Sequence, residues 1–176
     1  CGDKEQISIG NVNYTINENF TDDQIPAGFV RSKITYNKRQ YEGITNATNS
    51  LQLLSLQNEA GASYYIYNQK TQEFYTFVQI PIAEGKYIIP LPLSNEVQEF
   101  AKAEIISLNV QEKNFDAWKI DEEFSVVYAM NQDGAEVLYR YDSVDGVFQR
   151  YIDAAIEVDG ENGKKTLFPN AYYMYA

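Results

Sequence analysis

The sequence contains no histidine, one cysteine, one tryptophan and two methionines among 176 residues. Without histidine the chain lacks the commonest general base, the Ser-His and Cys-His nucleophile pairs and the usual ligands of catalytic zinc. The single cysteine is Cys1, so no disulfide can form within the chain. A cysteine-free body suits an exported protein that avoids disulfide errors, and suits a cytosolic one as well. Basic residues are scarce too: 14 Lys and Arg stand against 25 Asp and Glu, a formal net charge of −11. Affinity for nucleic acid comes from Lys and Arg displacing counterions, so no nucleic-acid partner is expected. No apolar run approaches the roughly 20 residues that span a bilayer, and no basic amphipathic stretch is visible that would dock on anionic lipid. G-x-S-x-G, S-x-x-K, P-loop and dinucleotide fingerprints do not occur. No cofactor and no metal are expected.

What is abundant is aromatic. Fifteen Tyr and nine Phe accompany a 44% hydrophobic content, enough for burial to offset chain entropy. Tyr and Phe favour strands, because their rings pack on a half-buried pleated surface.

The chain also repeats itself. Asn58-Glu59-Ala60-Gly61-Ala62 returns 73 residues later as Asn131-Gln132-Asp133-Gly134-Ala135. Tyr65-Ile66-Tyr67 and Phe74-Tyr75-Thr76-Phe77 return at a spacing of 74 as Tyr139-Arg140-Tyr141 and Phe148-Gln149-Arg150-Tyr151. A repeat of this length indicates two copies of one supersecondary unit. Copy one reads as a five-stranded meander over Phe29–Tyr36, Arg39–Ile44, Leu51–Gln57, Ala62–Tyr67 and Glu73–Ile80. Copy two reads as Phe100–Leu108, Asn114–Ile120, Phe124–Met130, Ala135–Tyr141 and Val147–Ile152. Asn and Gly mark the turns between them.

The expected fold is therefore mainly β: two duplicated antiparallel five-stranded meander lobes plus terminal hairpins, with little helix. Residues 1–6 form a polar tether. Residues 7–93 form the first lobe, with an N-terminal hairpin turning at Gly10-Asn11. A Pro-bearing edge strand or linker, Pro81–Leu93, closes that lobe. Residues 94–176 form the second lobe, ending in a hairpin over Ala155–Phe168 and a Tyr-rich tail. Ser94 could cap one short helical turn at most, because the matching stretch in copy one contains Pro26-Ala27-Gly28.

The repeat also sorts side chains. Matched pairs such as Tyr65/Tyr139, Tyr67/Tyr141 and Phe74/Phe148 are expected in the cores. Phe77/Tyr151 lie on the opposite strand face, so these strands should be covered on both sides. Unmatched aromatics are the candidates for ligand contact. Tyr75 compares with Gln149, Trp118 with Ile44, and Tyr64 falls near the one-residue length difference between copies. Tyr and Trp offer a flat apolar face with a polar tip, suited to a sugar ring or a protein hot spot, although packing between lobes would break the repeat in the same way. The adjacent carboxylates of Asp22-Asp23 and Asp121-Glu122-Glu123 point to opposite faces of an extended chain and rarely converge on one proton, while Asp142–Gly146 and Asp159–Gly163 lack the spacing of a calcium loop and read as turns.

Cys1-Gly2-Asp3, with no initiating Met, resembles the start of a mature bacterial lipoprotein, whose cysteine carries a diacylglyceryl group. Two acyl chains anchor stably where one binds marginally. The hairpin Val137–Tyr151, its companion Tyr65–Phe77, and the segments Val12–Ile16 and Ile25–Phe29 resemble uncharacterised envelope proteins of clostridial-type Gram-positive bacteria. The resemblance covers residues 7–152. It implies a membrane-anchored module on the extracytoplasmic face of the bacterial membrane and transfers no activity.

The expected function is a lipid-anchored binding module at the cell surface. Its partners would be the membrane, through Cys1, and a protein or polysaccharide, through Tyr64, Tyr75 or Trp118. Two alternatives are an accessory sensor docking on a membrane protein and a glycan hydrolase working with two carboxylates.

Overall fold

In the computed structural model, strands account for every described element except a 3₁₀ turn at Asp22–Gln24. The structure describes residues 5–93, 100, 102–151, 157–158 and 165–166. The chain divides into two units, Cys1–Phe77 and Val78–Ala176, each built on a seven-stranded antiparallel sheet.

The first unit begins with a hairpin, β1 (Gln6–Ile9) and β2 (Val12–Ile16). Its two-residue turn puts Gly10 at φ 58° and Asn11 at φ 56°, the left-handed pair whose twist matches that of the flanking strands. A meander follows: β3 (Phe29–Tyr36), β4 (Arg39–Asn46), β5 (Gln52–Asn58), β6 (Gly61–Asn68) and β7 (Glu73–Thr76). Strand β5 pairs along one edge with β6 and divides its other edge between two partners. Its first half pairs with β4 (Ile44 opposite Leu53) and its second half with β2 (Ile16 opposite Leu56).

The sheet is strongly coiled. Strands β3 and β7 are the outer strands of the meander, and four flat strand spacings would separate them by about 19 Å. Yet the rings of Tyr36 and Phe74 lie 5.5 Å apart, centroid to centroid.

Both faces of this sheet are covered. On one, Ile7, Ile16, Ile34, Leu54, Leu56 and Tyr67 form a core. On the other, Ile44, Leu53 and Ile66 are buried with Phe20 and Phe29. The segment bearing Phe20 is held by Arg31, whose Nε donates to the Asp22 carboxylate at 2.7 Å and whose guanidinium lies 4.5 Å over the Phe20 ring. Each fully buried Leu or Ile contributes roughly 1.5–3 kcal/mol relative to exposure.

The second unit repeats the plan strand for strand: β8 (Ile80–Ala83), β9 (Lys86–Pro90), β10 (Ile105–Val110), β11 (Lys113–Lys119), β12 (Phe124–Asn131), β13 (Glu136–Asp142) and β14 (Val147–Arg150). The registers are copies except in the leading hairpin, where β8 carries a bulge between Pro81 and Ala83 that β1 lacks. Ile44 opposite Leu53 becomes Trp118 opposite Val126, and Ile16 opposite Leu56 becomes Pro90 opposite Ala129. Even the isolated bond from the Asn17 N–H to the Ser55 carbonyl recurs, from Leu91 to Tyr128, at 2.8 Å in both.

Two expectations are revised by this arrangement. The repeated unit has seven strands rather than five, because the N-terminal hairpin belongs to it. The segment from Pro81, assigned from sequence to the first lobe as an edge strand or linker, is the hairpin β8–β9 of the second unit. The division accordingly falls after Phe77 rather than after Leu93. Prolines hid the hairpin, yet Pro81 sits on the outermost strand and Pro90 ends β9, where a missing N–H disturbs little. The first strand of copy two begins later than expected, at Ile105 rather than Phe100, and the turn that follows is tighter than expected, at Gln111 (φ 52°) and Glu112 (φ 67°), the counterparts of Asn37 (φ 50°) and Lys38 (φ 68°).

Of the last hairpin, β15 (Glu157–Val158) pairs with β16 (Lys165–Thr166). Cys1, the turn at Ser94, residues 159–163 and the Tyr-rich tail lie outside the described residues.

Candidate functional site

The two units share a backbone plan and differ in one face of the sheet. Register places Tyr14, Tyr36, Tyr41, Tyr65, Tyr67 and Phe74 on a common face of the first unit. Their counterparts in the second unit are Ile88, Val110, Phe115, Tyr139, Tyr141 and Phe148. All six counterparts are buried, none more than 9% exposed. In the first unit only Tyr67 is buried to that extent, and the other five rings are partly buried at the rim of the core. A sealed core in one copy is therefore a partly open tyrosine face in the other.

The rings of this face form a continuous set. Tyr36 packs on Tyr67 and on Phe74, each at 5.5 Å between centroids, and on Tyr41 at 6.5 Å. Tyr14 and Tyr65 pair at 5.6 Å. The Tyr65 hydroxyl donates to the Tyr14 hydroxyl at 3.4 Å. That bond, with partial burial and the nearby Tyr14 hydroxyl, pushes the Tyr65 phenol up to about 12. Tyr36 is also raised, chiefly by removal from water and then by the Glu5 carboxylate. These hydroxyls stay protonated at neutral pH and present a donor and an acceptor each.

Two grooves border the face. One, of about 360 Å³, runs between residues 6–10 of β1 and its turn on one side and residues 72–74 on the other, with Tyr36 lining it. The second, of about 200 Å³, is lined by Tyr14, Tyr65 and the β5–β6 turn. The first falls within the roughly 300–1,000 Å³ range of small-ligand sites.

The residues singled out from sequence do not converge. Tyr64 and Tyr75 lie on the opposite face of the sheet, since Tyr64 pairs with Ser55 and Tyr75 with Ile66. Tyr64 packs edge-on against Phe20 at 5.6 Å, and its hydroxyl is buried without a partner. Loss of water raises its phenol, an effect the nearby Arg31 opposes. Tyr75 is half-exposed and donates to the Glu73 carboxylate at 2.9 Å.

Trp118 belongs to the second unit and is 3% exposed. It stacks on Phe100 at 5.0 Å and 14° between planes. Its departure from Ile44 thus reflects packing within its own unit, and Trp118 offers no ring to a ligand. The signal that locates Tyr14, Tyr36 and Tyr41 was present in the repeat: each replaces an apolar residue of copy two. Finding it requires aligning the hairpin and β3 as well as β4 to β7.

The acidic groups build turns. The Asp121 carboxylate accepts the N–H groups of Glu123 and Phe124, both at 2.8 Å. Asp142 accepts those of Val144 and Asp145 at 2.9 and 3.2 Å. Glu123 is raised above the usual carboxylate range by local desolvation and by the neighbouring Asp142.

Comparison with family models, with curated proteins and with solved structures gives no match for this chain.

Proposed function

We propose that the protein is a lipid-anchored extracytoplasmic binding module of the bacterial cell surface. Its ligand, a protein partner or a polysaccharide, lies on the tyrosine face of the first unit. One observation carries this reading: of six matched sheet positions, all closed in the second unit, five are only partly buried in the first, three of them carrying added tyrosines. A structural requirement common to both units would preserve the closed form, whereas a ligand calls for an open face in one unit alone. Partly buried tyrosines bordering a groove supply large apolar contact at low entropic cost, together with hydroxyls for orientation.

The test is co-sedimentation of residues 2–176 with purified cell-wall, polysaccharide and membrane-protein preparations. Saturable binding that is lost in Tyr36→Ala and Tyr41→Ala but retained in Tyr75→Ala supports the reading. Binding that survives both tyrosine-face variants refutes it. The anchor is tested separately: Cys1→Ala should move the protein from the membrane fraction to the medium, and retention on the membrane would sink that part.

A further inference from the structure

The duplication supplies an internal control for the edge strand that walls the larger groove. Strand β1 pairs with β2 and with no other described strand. Its two-residue turn closes the hairpin at the Ile9–Val12 pair. Antiparallel ladders alternate, so Ile9 and Ile7 direct their N–H and C=O groups toward β2, while Ser8 and Gln6 direct theirs outward. Both Gln6 and Ser8 are exposed.

In the second unit the equivalent edge is blocked three ways. Across the bulge at Ile82, Pro81 pairs with Tyr87 as Ser8 pairs with Asn13, and it has no N–H. The Pro81 carbonyl accepts the Gln111 side-chain amide at 3.1 Å. The Gln79 carbonyl, counterpart of that of Gln6, accepts the Lys113 ammonium at 2.7 Å. These are the devices by which proteins close an edge to strand addition.

Among its described residues the first unit has none of them. Asn37 and Arg39 replace Gln111 and Lys113, and Asn37 bonds instead to the Glu5 carboxylate. The open edge borders the 360 Å³ groove, whose other wall carries Phe74 and Glu73.

We infer that the outer edge of β1 accepts an extended polypeptide strand, laid in the groove between β1 and residues 72–74. The inference rests on the tyrosine-face reading and narrows its ligand to a polypeptide. The outward donors and acceptors of Gln6 and Ser8 are two residues apart, about 6.6 Å, which is the repeat of an extended chain. Ile9, Tyr36 and Phe74 favour apolar side chains at alternate positions of the incoming strand. Among the described residues lining the groove Glu73 alone is charged and selects a Lys or Arg on that strand.

The experiment is panning of a phage-displayed random dodecapeptide library on the full chain, followed by affinity measurement with each enriched peptide. Enriched peptides should alternate apolar residues and bind Ser8→Pro at least roughly tenfold more weakly, the loss of a main-chain bond plus its steric block. Hydrogen exchange at the Ser8 amide should slow when peptide is bound. The Ser8 N–H faces away from β2, so Ser8→Pro leaves the hairpin ladder intact. Asn37→Gln with Arg39→Lys transplants the cap of the second unit and should weaken the same peptides without a proline.

Failure to enrich peptides, or peptides that bind every variant equally, overturns the inference. Polysaccharide binding lost in Tyr36→Ala but kept in Ser8→Pro would overturn it while leaving the tyrosine face as a glycan site. Binding untouched by Tyr36→Ala and Ser8→Pro alike would overturn both readings.

Discussion

Gly43 offers the sharpest test of how the first unit is held together. It lies in β4 where the edge of β5 passes from β4 to β2. A Cβ placed there would stand 2.4 Å from Ile34 Cδ1, 2.6 Å from the Leu53 carbonyl oxygen and 3.1 Å from Leu54 Cδ2. Overpacking of this kind costs about 1–3 kcal/mol. Removing a glycine from the unfolded chain returns about 0.4–1 kcal/mol. Gly43→Ala should therefore destabilise by about 1–2 kcal/mol, a fall of roughly 1 M in the urea midpoint for a small domain.

The second unit shows how the clash can be relieved. Ala117 occupies the equivalent position and is fully buried, facing Val127 where the first unit has Leu54. The methyl group has moved from one strand to the next. Gly43→Ala combined with Leu54→Val should thus be less destabilised than the sum of the single changes, because the two sites share one space. It should not recover fully, since the Leu53 carbonyl contact is made by backbone. Urea unfolding followed by far-ultraviolet circular dichroism reads the midpoint, while Trp118 emission reports the second unit alone. An unchanged or higher midpoint for Gly43→Ala would refute the steric argument, and strict additivity in the double variant would refute the shared space.

Other consequences follow from the same comparison. Gln72 holds φ 60° where the second unit has Gly146 at 69°, so Gln72→Gly should raise the urea midpoint by an amount equivalent to roughly 0.5–1 kcal/mol. A lowered midpoint would show that the Gln72 side chain offsets its strain. Tyr64→Phe removes a buried hydroxyl without a partner and should be neutral or stabilising by up to about 1 kcal/mol in the same assay. Tyr65, pushed up to about 12, contributes stability that is complete below the ordinary phenol pKa near 10 and is lost as pH rises through about 12. Absorbance titration at alkaline pH should show a late phenolate step that vanishes in Tyr65→Phe. Glu123 is raised, so the folded state binds its proton more tightly and stability falls as pH rises past the carboxylate range. Glu123→Gln should raise the melting temperature at neutral pH, and the gain should disappear in acid.

The strands of copy one were legible because each local signal agreed with the fold. Asn37-Lys38, Asn58 to Gly61 and Asn68 to Gln72 all mark real turns between aromatic strands. Copy two was harder to read where its chemistry departs from its geometry. Gln111 and Glu112 both adopt left-handed φ although neither is Gly or Asn, so no residue announces that turn. Pro81 and Pro90 read as breakers because sequence alone does not tell which way an edge strand turns its nitrogen. Trp118 read as a surface candidate because it departs from Ile44 in the repeat; the ring that buries it is Phe100, which was expected to open the first strand of copy two but precedes β10.

Duplication explains why the tyrosine face was the hardest feature to see. Two copies of one unit begin with equal surfaces, and divergence then records which requirements are shared and which belong to one copy. The turn built on Asn58 and Asn131 is shared, each side chain accepting a main-chain N–H two residues on at 2.9 Å. The edge of β1 and the positions of Tyr14, Tyr36 and Tyr41 are not. In the second unit Pro81, Gln111 and Lys113 close that edge, and Ile88, Val110 and Phe115 fill the core behind it. In the first unit the same five-strand distance along the sheet carries an open edge and partly buried rings. The two differences adjoin one groove, at Tyr36, and each would be a liability without the other: an open edge invites aggregation, and partly buried rings forgo burial. Their coincidence in one copy, against closure of both in the other, is what the proposed binding face would require.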